Sequence, residues 1–235
     1  MHKKKIITIG PVSAQPEDIA TIANSLSFLN EDYHIDYLDS LSIMHDVPNK
    51  DYYQLWKQKL TSYIDDYDAF LGFSFGGVIL QQCFSLFAKA PKPIILFSTP
   101  TFADPTLKEK LGKVIRLCQE NRLEDALKAL YQPVFYPHKM PVLTIDSINK
   151  AQAYARLIFG LTRVLNTDAR TLLQENKVPH LHLIGENSNL VNCNNVLAAN
   201  HGHLISVPRA SMRMLQDEPL FCQKVILEAL NNASR

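Results

Sequence analysis

The chain has 235 residues, enough for one domain with a sizeable core. Apolar residues make up 46% and charged residues 20%, an ordinary globular balance rather than a disordered or fibrous one. The 24 basic and 23 acidic residues leave a net charge of +1 with no basic stripe, which removes the electrostatic case for nucleic acid.

The amino terminus, Met1-His2-Lys3-Lys4-Lys5, imitates the basic start of a signal peptide. The apolar stretch behind it, residues 6–9, is too short to be the hydrophobic region of one. Residues 5–9 read instead as a first strand, closed by Gly10-Pro11. Residues 16–29 carry Ile19, Ile22, Ala23, Leu26 and Leu29 at helical spacing. Residues 34–41 read as a second strand and residues 51–63 as a helix with Tyr52, Leu55, Trp56 and Leu60 on one side. A third strand, 69–73, runs into the segment around Ser74, and an apolar helix leaves it over 76–88. Residues 93–98 form a buried strand closed by Pro100. From 105 to 177 strand signals vanish and helical periodicity takes over, with Pro133, Pro137 and Pro141 expected to break the stretch into separate helices. Strands resume at 178–185 and 203–208, and a helix closes the chain over 218–230.

Strands alternating with helices predict an α/β fold: a mostly parallel sheet with helices on both faces. Residues 1–104 and 178–235 would form its core, and 105–177 a helical cap above the sheet edge. No run reaches the roughly 18 apolar residues of a membrane span. Cys83, Cys118, Cys193 and Cys222 are scattered with no C-x-x-C pair, so free thiols and a cytoplasmic location are expected.

The most informative motif is Gly72-Phe73-Ser74-Phe75-Gly76, a G-x-S-x-G between strand and helix. This is a nucleophile elbow: a turn too tight for side chains at its glycines, which lifts the serine hydroxyl clear of the sheet. With it stand Leu161-Thr162-Arg163-Val164-Leu165, Asp168, Arg170 and Leu173; then 178–186, Val-Pro-His-Leu-His-Leu-Ile-Gly-Glu; then 214–221, Met-Leu-Gln-Asp-Glu-Pro-Leu-Phe. Over nearly its whole length the chain resembles the α/β-hydrolases. It is similar in particular to small capped esterases such as those that demethylate pimeloyl-acyl carrier protein methyl ester.

The resemblance implies Ser74 as nucleophile, a histidine base, a carboxylate behind it and two backbone donors for the oxyanion. Ser74 matches. The family's acid loop falls on Gly185-Glu186-Asn187-Ser188-Asn189-Leu190-Val191, with Ser188 where aspartate is usual. Asp104 is the replacement acid considered, against a plain role as a helix cap before Pro105; Glu186 is a weaker one. By its spacing to Glu218-Pro219-Leu220-Phe221, the family's Gly-His falls on Ser211-Met212. His203 or His201, in Asn200-His201-Gly202-His203, is the substitute base considered, although that segment precedes its strand; His138 is a further one. The Phe75 N–H serves as one oxyanion donor. Pro11 stands where the second is usual and has no N–H, so Val12 is the shifted donor. Phe73, Tyr131 and Phe135 are expected to line an apolar substrate pocket, Phe159 being a further roof residue.

His180 and His182 share a strand face, but no carboxylate or cysteine joins them at ligand spacing, so no metal is expected, nor an organic cofactor. Two functions fit. One is a divergent carboxylesterase or thioesterase acting through Ser74. The other is a catalytically degenerate hydrolase that binds a ligand or docks a partner. The expected partner is a small-molecule acyl substrate or ligand, free or on a carrier protein, or else a protein; nucleic acid and membrane are not.

Overall fold

The computed structural model describes residues 3–145, 147–197 and 199–232; Met1 and His2 of the basic amino terminus lie outside them. Strands β1 (Lys4–Ile9), β2 (Tyr33–Leu38), β3 (Ala69–Phe73), β4 (Ile94–Phe97), β5 (His180–Gly185) and β6 (Gly202–Val207) form one sheet in the order β2-β1-β3-β4-β5-β6. Every pairing is parallel. Parallel strands need crossover connections, and the helices that supply them cover both faces. Alternation along β1 shows the result: Ile7 and Ile9 join one core cluster and Ile6 the other.

The larger cluster packs α2 (Asn49–Thr61), through Trp56 and Leu60, and α3 (Phe75–Gln82), through Val78 and Ile79. The smaller one packs α1 (Ala20–Ser25), through Ile22, and α10 (Pro219–Asn232), through Ile226 and Leu230. Short helices α4 (Phe84–Phe87) and α9 (Met214–Asp217) complete the core.

Between β4 and β5 lie α5 (Pro105–Gln119), α6 (Leu123–Phe135), α7 (Lys150–Leu165) and α8 (Arg170–Glu175). Their apolar stripes, Leu107, Leu111, Leu127, Leu157 and Leu161 among them, merge with the larger core cluster. These helices therefore share the sheet's core instead of building a second one.

Three elements differ from the sequence expectation. The helix expected over 16–29 is broken into a 3-10 turn, Pro16–Ile19, then α1, then a second 3-10 turn, Ser27–Leu29. The Ser25 hydroxyl donates to the Thr21 carbonyl at 2.9 Å, the local competition that makes such residues poor helix formers. The helix after the elbow is interrupted at Cys83, whose N–H is shared between the Ile79 and Leu80 carbonyls. Pro133 does not break its helix: it sits inside α6, which ends two residues later, so it removes one hydrogen bond from a last turn only.

No helix among the described residues is long and apolar enough to cross a membrane. All four cysteines are free thiols, with Cys193 exposed.

Candidate functional site

The carboxyl ends of β1, β3 and β4 meet at one edge, with Ile9 beside Gly72 and Phe73 beside Phe97. Ser74 follows β3 there at φ 49° and ψ −109°, a left-handed position that is strained for a residue with a Cβ. Backbone bonds hold it: its N–H donates to the Phe97 carbonyl at 2.8 Å and its carbonyl accepts from Val78 at 3.0 Å. The glycines explain how the turn closes. A Cβ on Gly76 would stand 2.1 Å from the Ile9 carbonyl oxygen, and one on Gly72 would stand 2.6 Å from Gly77 Cα.

That close approach brings the loop after β1 against the elbow. Val12 lines the same cavity as Ser74. The N–H groups of Val12 and Phe75 have no acceptor among the described residues. Neither donor is spent on the described fold.

The cavity measures about 340 Å³. Phe73 and Phe97 stack along its floor, ring centroids 4.2 Å apart. Tyr131 and Phe135 of α6 form its roof, with Leu107 and Leu111 of α5 beside them. Phe73, Tyr131 and Phe135 therefore line one space with Ser74, whereas Phe159 packs against Tyr52 and Arg163 elsewhere.

The proton-transfer groups are not brought to this space. Among the described residues, Ser74 Oγ has no hydrogen-bond partner, histidine or otherwise. His203 corrects the expectation of a base: it pairs with Leu181 at the start of β5 and β6, at the opposite end of the sheet from the elbow. His201 immediately precedes that strand and is exposed. His138 is also at the surface, with Nε2 3.6 Å from Asp217 Oδ2. Asp104 corrects the expectation of an acid: its Oδ1 accepts the Leu107 N–H at 3.0 Å and the Asn195 amide at 3.1 Å, capping α5. Glu186 is exposed and accepts the Arg209 N–H. Ser188, at the family's aspartate position, is buried and accepts the Val191 N–H.

Met212, where the resemblance implies a histidine, does come to the Ser74 cavity. It lines the cavity with Ser74, and its carbonyl accepts the Ser98 hydroxyl at 3.2 Å. Ser211 beside it is turned inward, its N–H and hydroxyl both donating to Asp217 Oδ2.

This arrangement can be set beside known proteins. An α/β hydrolase enzyme from a Medee basin deep-sea metagenome library superposes with a TM-score of 0.75 at 11% identity, over 98% of this chain and 90% of that one. An esterase from Exiguobacterium antarcticum gives 0.71 at 17% identity, over 97% and 92%. MenH from S. aureus gives 0.66 at 16% identity, over 100% and 96%. The chain has the α/β-hydrolase fold. No family model matches the sequence, and no curated protein matches it significantly.

Within this α/β-hydrolase fold, two polar residues of the cavity escape sequence reasoning. Asp18, in the 3-10 turn after β1, has its carboxyl raised by burial although it accepts the Gln15 N–H. Tyr131 is pushed up to about 12 by burial and then by the charge of Asp18. Arg213, next to Met212, stacks its guanidinium over the Phe135 ring at 4.1 Å. Nothing in the sequence marks Asp18; Arg213 stands between Met212 and the resembling segment 214–221. Among the described residues no three His, Cys, Asp or Glu side chains are grouped to hold a metal ion.

Proposed function

We propose that this α/β-hydrolase-fold chain binds an acyl ligand in the Ser74 cavity and that Ser74 does not turn it over. The observation that carries this is Met212 lining the cavity beside a Ser74 hydroxyl that has no proton acceptor among the described residues. A serine hydroxyl is a weak nucleophile until a base takes its proton, and a thioether cannot do so. The apolar walls suit an acyl chain, and the free Val12 and Phe75 N–H groups suit its carbonyl oxygen. Free thiols and the lack of a spanning helix among the described residues accord with a cytoplasmic place for this binding.

A second reading, a divergent carboxylesterase or thioesterase, is favoured by the strained Ser74 backbone, which costs about 1–3 kcal/mol. In it Asp18, the carboxylate of the cavity lining, would have to take the proton. Labelling with a fluorophosphonate probe, native protein against Ser74→Ala, separates the two. The binding reading expects no Ser74-dependent labelling in folded protein. Labelling that disappears in the variant overturns it in favour of the hydrolase.

A further inference from the structure

The polar groups of the cavity are unequally satisfied. The Ser98 hydroxyl donates to the Met212 carbonyl, the Ser13 hydroxyl donates to the Gln15 carbonyl, and the Gln216 amide donates to Ser25. Asp18 accepts the Gln15 N–H. Arg213 differs. Its guanidinium donates no hydrogen bond to any described residue, and it stacks over the face of Phe135.

The other arginines away from full exposure are treated differently. Arg156 is held by Asp39 and Ser13, and Arg163 by Asn49 and the His45 carbonyl. The half-buried Arg213 guanidinium thus keeps its donors free of any acceptor among the described residues, on the wall of the cavity. Asp217 is the acid whose charge it feels, but Asp217 Oδ2 already accepts both donors of Ser211. Stacking on Phe135 keeps the planar fork oriented inside the cavity wall, the form in which arginine takes a carboxylate through two parallel bonds.

We propose that Arg213 is the anchor for a carboxylate on the ligand of the Ser74 cavity, so that the ligand is an acyl compound carrying one negative charge. The proposal rests on the reading of that cavity as a ligand site. One cation, with the Asp217 charge near it and Asp18 also on the cavity wall, matches a monoanion better than a doubly charged phosphate.

Calorimetric titration with octanoate, methyl octanoate and octyl phosphate tests it, on the native protein, Arg213→Gln and Arg213→Lys. The native protein is expected to bind octanoate at least about tenfold more tightly than the methyl ester, the scale of hydrogen bonds to a charged group. Arg213→Gln should lose that preference, and continued binding of the methyl ester by the variant shows that the cavity is intact. Arg213→Lys should keep part of it. Equal binding of acid and ester by the native protein, or a preference that survives in Arg213→Gln, overturns the anchor and leaves the cavity reading standing. Tighter binding of octyl phosphate than octanoate overturns the monoanion assignment. Failure of all three ligands to bind the native protein overturns the cavity reading, and the anchor with it.

Discussion

Arg156 of α7 grips Asp39 after β2 with both prongs of its guanidinium, Nη1 to Oδ2 at 2.8 Å and Nη2 to Oδ1 at 2.9 Å. The same group donates from Nε to the Ser13 carbonyl at 3.1 Å and from Nη2 to the Ser13 hydroxyl at 3.2 Å. One side chain of the helical insertion thereby fixes the loop that carries Val12. Arg156→Met is expected to destabilise the protein by about 3 kcal/mol, the low end for breaking a buried pair, because Asp39 keeps some contact with water. Arg156→Lys should rescue little, since an ammonium cannot reproduce the fork. Urea unfolding midpoints check both.

Two glycines should respond in opposite senses to alanine. At Gly76 the added Cβ meets a backbone carbonyl at 2.1 Å, which cannot move without opening the elbow. Gly76→Ala is expected to cost at least the upper end of about 1–3 kcal/mol for overpacking. At Gly112, inside α5, the nearest atom is Arg116 Nη1 at 3.7 Å, the end of a flexible side chain. Gly112→Ala should stabilise by about 0.5–1 kcal/mol through helix propensity. Thermal melts of the two variants against the native chain give the answer, and equal shifts would contradict the contact geometry.

Acid should weaken this fold before its carboxylates titrate. His182 is buried, accepts the Thr99 N–H on Nε2 at 3.2 Å and is pushed down to about 3, first by burial and then by His180. His180 is lowered too, chiefly by burial. In the unfolded chain both titrate near about 6.5. Below that pH the unfolded chain binds protons that the folded chain refuses. Stability is therefore full above about pH 6.5 and falls below it, approaching about 1.4 kcal/mol per pH unit for His182 down to its folded pKa, with His180 adding in the same direction. Unfolding free energies between about pH 7.5 and about pH 5 measure the slope. His182→Gln keeps an acceptor for Thr99 and should reduce the slope; an unchanged slope would refute the assignment.

Asp104 should behave as a cap. Asp104→Ala is expected to cost about 1 kcal/mol and Asp104→Asn much less, because asparagine also accepts the Leu107 N–H. A catalytic acid would give the opposite ranking of consequences: the asparagine variant would fold normally and lose activity toward any ester that the native protein cleaves.

Much of the architecture was legible in the chain. β3, the elbow and β4 could be placed because a short apolar run, paired glycines and a closing proline are local signals. The α/β class followed from strands alternating with helices. The breaks in the 16–29 helix and after Gln82 were not legible, since they turn on hydrogen bonds that compete at single residues.

The site divides in the same way. Sequence alone marked Ser74 and its glycines, and the resemblance set Met212 and Ser188 where histidine and aspartate are usual, because each depends on what one residue can do chemically. Only the tertiary structure decided that His203 lies at the far end of the sheet, that Asp104 is spent on a helix start, and that Met212 shares the cavity with Ser74. It alone brought Asp18 and Arg213, distant in sequence, to the same space. The reason is physical: a residue's type fixes the chemistry it offers, but which groups meet depends on how strands register and helices pack, which no local pattern records.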